Sequence, residues 1–161
     1  MILLQAGCEF HPLYGNHPTT PVENRLAGVS VGIIADRTGQ LLRNELLIRL
    51  DPNNQSLPVQ YKLAVQLTES TAHLAVRRDA SATRANLAME ARYELTSAGN
   101  GTLVRSGSVR SVNSYDLLST ENEFGTRTAE DQARKRAASD LANQIALRIG
   151  LALDRATETG Q

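Results

Sequence analysis

The chain has 161 residues, with 17 basic against 17 acidic side chains, three histidines and one cysteine. A single domain of about this size buries roughly 68–70% of its unfolded surface, enough for a full core without disulfides. Balanced charge argues against a non-specific nucleic-acid binder, one cysteine excludes a disulfide framework or Cys-rich zinc site, and no stretch approaches the roughly 20 apolar residues of a membrane-spanning helix.

Residues 1–8 open with the apolar run Met1 to Leu4 and close on Ala6-Gly7-Cys8. Small residues before a cysteine resemble a lipobox, where a signal peptide is cut and the thiol accepts a diacylglycerol. Gln5 departs from that pattern, and the apolar run is shorter than the h-region of a complete signal. Two readings stand at this point: a partial signal peptide with Cys8 as lipidation site, or a plain thiol near a chain end. Residues 9–21 carry Pro12, Pro18 and Pro21, which bias the chain to extended conformations and predict a tether. The aromatic pair in this stretch, Phe10 and Tyr14, is placed to dock on the body that follows.

That body is read as one domain over residues 22–155, followed by a polar tail over 156–161. Leu26 to Ile34 alternates, with Val29, Val31 and Ile33 on one side of a strand. Asp36 or Thr38 can cap the helix that comes next, in which Leu42, Leu46 and Leu50 recur until Asp51-Pro52 stops it. Tyr61, Leu63, Val65 and Leu67 predict a one-sided strand. Its apolar phase then moves to Ala72, Leu74 and Val76, so a bulge is expected near Glu69–Thr71.

Leu87, Met89, Ala91, Tyr93 and Leu95 mark the next strand, and Asn100-Gly101 is a strong hairpin signal. The return strand, about 102–113, is polar enough for a sheet edge. From Thr128 the period is helical, with Thr128 and Asp131 as a capping box and an apolar stripe from Ala138 through Leu141, Ile145 and Ile149 to Leu153. Arg134, Lys135 and Asp140 are expected in water, and Gly150 is expected to kink or end the helix. These elements predict an α+β two-layer sandwich, a four-stranded sheet with two helices packed on one face in the order β-α-β-β-β-α. Function is then expected on the bare polar face.

Catalytic chemistry is not legible. Cys8, His11 and His17 give three ligand types on a Pro-rich tail, where a structural zinc site wants four on rigid support. No nucleophile–base–orienter set stands out, no phosphate loop follows Gly28 and Gly32, and His73 sits in a strand with a structural role expected. The sequence is read as a non-enzyme without cofactor or metal. What stands out is arginine: 15 of the 17 basic residues, the others being Lys62 and Lys135. Arg77, Arg78 and Arg84 lie in a polar link rich in Ser, Thr and Asn, with Arg92 and Arg110 expected on the polar face. Arginine's planar fork grips phosphate or carboxylate through paired hydrogen bonds.

Taken together, several segments resemble the LptE family of lipopolysaccharide-assembly lipoproteins, in its alphaproteobacterial form. They are Ala6-Gly7-Cys8 with Phe10 and Pro12 to Gly15, then Asp36 to Asn44, Asp79 to Leu87, and Arg110 to Tyr115. The resemblance implies an outer-membrane lipoprotein facing the periplasm, lipid-anchored through Cys8, that sits as a plug inside the LptD β-barrel. It implies help in assembling that barrel and in passing lipopolysaccharide to the outer leaflet. Lipopolysaccharide carries phosphates and acidic sugars, which makes Arg77, Arg78, Arg84 and Arg92 the candidate contacts. The other reading is a free periplasmic module for an anionic glycolipid or similar ligand. Nucleic acid is not an expected partner.

Overall fold

A computed structural model describes residues 25–55, 57–76, 82–117 and 123–158. A helical turn at residues 25–27 leads into β1 (Val29–Val31), α1 (Asp36–Leu50), β2 (Tyr61–Val76), β3 (Ala82–Ser97), β4 (Leu103–Asp116) and α2 (Glu123–Glu158). The strands form one mixed sheet in the order β1-β2-β3-β4, with β1 parallel to β2 and the other pairs antiparallel. The expected β-α-β-β-β-α layout is the observed one.

Alternation decides which face is buried. Leu63 and Val65 of β2, Leu87 through Leu95 of β3 at odd positions, and Val109 and Tyr115 of β4 all point to one side. Leu42, Leu46 and Leu50 of α1 and Ala138, Leu141, Ala142, Ile145, Ile149 and Leu153 of α2 close over them. At about 1.5 Å per helical residue and 3.4 Å per strand residue, α2 and the two longest strands each run roughly 54 Å. One helix therefore tracks the sheet along its length.

Several expectations are corrected. The first strand is three residues long, because the chain leaves the sheet after Gly32 donates to the Leu63 carbonyl at 2.9 Å. Ile33 is then 94% exposed and Ile34 turns into the core. Gly39 packs on Ile34 so closely that a Cβ there would lie 2.9 Å from the Ile34 carbonyl oxygen. The α1 start has no side-chain cap: Ala35 is its N-cap, Asp36 sits at φ 66°, and the Thr38 hydroxyl donates instead to Glu69 Oε2 at 3.2 Å.

The β2–β3 register runs unbroken from Tyr61 opposite Ser97 to His73 opposite Ala85, and the irregularity falls between His73 and Val76. The phase change at Ala72 and Leu74 needs no bulge at Glu69–Thr71, because from Ser70 to Leu74 the strand is exposed and no core face dictates parity. His73 is exposed with its neighbours rather than built into the core. Helix α2 is longer at both ends than the periodicity suggested, so Thr128 lies inside it and its hydroxyl donates to the Phe124 carbonyl at 3.0 Å. Gly150 does not end the helix, which runs on to Glu158.

The hairpin forms at Asn100-Gly101, with Gly101 at φ +69° and Asn100 Oδ1 accepting from the Thr102 amide and hydroxyl. Strand β4 is an edge, as its polarity suggested. Arg148 Nη1 donates to the Ser108 carbonyl at 2.8 Å, and Gln144 Nε2 reaches the Arg110 carbonyl at 3.4 Å. Side chains of α2 thus bond backbone acceptors that an edge strand would otherwise present for pairing.

Candidate binding face

Even-numbered residues of β3, of β2 up to Ala72 and of β4 from Ser106 onward point away from the helices, and no described element covers them. The register sets their neighbours. Glu90 stands between Thr68 and Arg110, Arg92 between Gln66 and Ser108, and Glu94 between Ala64 and Ser106. Lys62 faces Thr96, and Arg84 faces Asp116. Four cations and three carboxylates therefore interleave along this surface rather than forming a block of one sign.

Near the middle, small residues leave a shallow groove of about 410 Å³ floored by Ala64, Ser106 and Gly107. Gln66, Arg92, Glu94 and Ser108 rim it, offering amide, guanidinium, carboxylate and hydroxyl groups to whatever lies across. The Gly107 backbone fits under the Tyr93 ring, whose hydroxyl oxygen would be 3.0 Å from a Cβ at that position.

The sequence candidates are only partly brought together. Arg92 and Arg84 lie on the open face, but eight residues apart in β3, about 27 Å at the rise of a strand. Arg92 Nε pairs with Glu90 at 3.3 Å, and Arg84 Nε pairs with Asp116 at 3.1 Å. All four side chains are well exposed, so each pair contributes little to stability and is open to exchange for another anion. Arg110, opposite Glu90, joins Arg92 across the face. Arg77, Arg78 and Cys8 lie outside the described residues.

A second polar cluster sits on the helix side and was not anticipated. Glu69 of β2 accepts from Arg134 Nε at 2.9 Å and from Thr38 of α1, while Arg134 also holds Glu130 at 2.5 Å and Asp131 at 3.3 Å. Burial works against the Arg134 charge, but the Glu69 hydrogen bond and charge, with Glu130 behind them, outweigh it and raise its pKa. Tyr115 nearby is raised as well, first by burial and then by the Glu130 charge. The cluster ties both helices to the sheet. Among the described residues no group of His, Cys, Asp and Glu could hold a metal ion.

These features define a class: a small α+β domain whose helices cover one side of a long sheet and whose other side offers a mixed polar surface. The crystal structure of a candidate lipoprotein from Caulobacter crescentus has this fold, at 30% identity and a TM-score of 0.70, covering 85% of this chain and 98% of that one. A minor lipoprotein from Acinetobacter baumannii shares it at 19% identity and a TM-score of 0.60, covering 76% of this chain and 90% of that one. Rare lipoprotein B from Shewanella oneidensis does so at 12% identity and a TM-score of 0.56, covering 81% and 98%. No curated protein matches the sequence. Residues 26–149 match the LptE lipopolysaccharide-assembly family, and the chain belongs to that family. Membership places it in lipopolysaccharide assembly and transport, in a family of assembly proteins rather than enzymes.

Proposed function

We propose that the protein is an outer-membrane lipoprotein on the periplasmic side, anchored through acylated Cys8, that seats in the LptD β-barrel as a plug. In this reading it assists assembly of the barrel and passage of lipopolysaccharide to the outer leaflet. The observation that supports it best, beside the family, is the uncovered sheet face with its interleaved charges. Such a surface matches a polar protein wall, where each cation and carboxylate finds a counterpart, better than it matches a purely anionic ligand. Arg77, Arg78, Arg84 and Arg92 are the proposed lipopolysaccharide contacts, with Gln66, Ser106 and Ser108 beside Arg92 able to hydrogen-bond sugar or phosphate oxygens.

A second reading, a free periplasmic module for an anionic glycolipid, draws on the groove at Arg92. Purification from the native envelope in detergent, with mass spectrometry of partners and of the N-terminal peptide, separates the two. The plug reading expects a stoichiometric large β-barrel and a triacylated Cys8. Recovery of the protein alone and unacylated overturns it.

A further inference from the structure

Leu147 and Leu151 stand one turn apart on α2 and are 65% and 51% exposed, on a helix surface that otherwise carries Arg148, Asp154 and Arg155. Gly150 lies between them, and Leu26 Cδ1 comes within 3.9 Å of where a Gly150 Cβ would sit. With Ala146, these residues line an apolar groove of about 380 Å³, polar only at its Asp154 end. Gly150 therefore serves this surface, since it does not end the helix.

The chain enters the domain at this groove. Leu26 forms one wall, and Arg25 Nη1 donates to the Leu153 carbonyl at 2.8 Å, which pins the entry to α2. Residues preceding Arg25 thus start from the groove itself. In residues 9–24 the large apolar side chains are Phe10, Leu13, Tyr14 and Val22, and the seven residues after Tyr14 are polar, Gly or Pro. Twelve residues from Tyr14 to Leu26 reach up to about 40 Å, ample for the chain to turn back. A tether of that length holds its end at roughly millimolar effective concentration, so even a weak apolar contact is well occupied.

We propose that Phe10, Leu13 and Tyr14 of the same chain fill the groove between Leu26 and Leu147–Leu151. The tether is then folded back on the body, and Cys8 is held beside the C-terminal half of α2. The inference goes beyond the barrel-plug reading and stands whether or not Cys8 is acylated.

A photoreactive benzophenone amino acid placed at position 14 of the full chain tests it. On irradiation at micromolar protein, the expected product is an intramolecular cross-link to the peptide carrying Leu147 and Leu151. Its yield should fall about tenfold in the Leu147→Asp, Leu151→Asp double variant, whose exposed sites leave the helical circular dichroism unchanged. A cross-link to other parts of the domain, or a yield indifferent to the double variant, overturns the proposal. So does an intermolecular product that grows with concentration, which would assign the groove to a second copy.

Discussion

Arg134 on α2 donates through Nε to Oε1 of Glu69 on β2, across 65 residues of sequence and 2.9 Å of space. Each side chain is about a quarter exposed, at 25% and 26%, so the pair is partly desolvated. Thr38 shares the same carboxylate, which makes Glu69 the point where α1, α2 and the sheet meet.

Removing one partner should therefore cost more than a surface ion pair does. Arg134→Ala is expected to lower unfolding free energy by about 1–3 kcal/mol, since it leaves the Glu69 carboxylate partly desolvated with the Thr38 hydroxyl but without its cation. Glu69→Gln is expected to cost less, because Arg134 keeps Glu130 and Asp131. The double variant should cost less than the sum. Urea unfolding of the four proteins measures the coupling, and strictly additive losses would show that the pair is not an energetic unit.

Gly39 and Gly99 offer a matched comparison. A Cβ at Gly39 would meet the Ile34 backbone at 2.9 Å, whereas one at Gly99 meets nothing within 4 Å. Gly39→Ala should destabilise by about 1–3 kcal/mol, because backbone must shift to admit the methyl. Gly99→Ala is expected to stay within about 0.5 kcal/mol of the parent. Equal melting temperatures for the two variants would contradict the packing described.

The Tyr115 phenol has a raised pKa, chiefly through burial, from an ordinary value of 10.0. The folded chain thus favours the neutral phenol, and the unfolded chain ionises first as pH rises. This contribution is complete below about pH 10 and is lost as pH climbs through the folded value. Urea midpoints measured on either side of about pH 10 should decline with alkalinity, and Tyr115→Phe should decline less steeply. Parallel alkaline limbs for the two proteins would remove Tyr115 as the cause.

On the open face, binding and stability should separate. Arg92→Ala breaks only an exposed pair with Glu90 and should change stability by less than about 1 kcal/mol. Ala64→Tyr fills the groove floor from the solvent side and should likewise spare the core. In the proposed plug reading, both variants are expected to cut barrel recovery from the envelope several-fold. Full recovery with both would move the contact surface elsewhere.

Much of the architecture was legible because burial follows alternation. The odd positions of β3, from Leu87 to Leu95, are all buried, and so are Leu42, Leu46 and Leu50 of α1. What the sequence hid was long-range. Nothing local marks Arg134 as half-buried, since its partner lies in another strand and Glu130 and Asp131 read as an ordinary solvated helix start. The first turn of α2 escaped because Phe124 is 83% exposed and supplies no apolar stripe. Ile33 and Ile34 exchange roles because the chain leaves the sheet between them. For the candidate face, Arg92 and Arg110 were expected on the polar side and stand there, whereas Arg84, read as part of the link between strands, belongs to β3, because that strand is longer than its apolar alternation.

The guarding of β4 by Arg148 and Gln144 bears on how this domain would meet the barrel in the proposed plug reading. Where the Ser108 and Arg110 carbonyls are already taken by its own helix, the strand does not readily splice into a neighbouring sheet, so hydrogen bonds from a foreign strand are not the natural seam at that stretch. The two chains would instead stay separate walls, fitted face to face like a stopper in a neck. A stopper seated that way can be drawn out without unpicking either fabric.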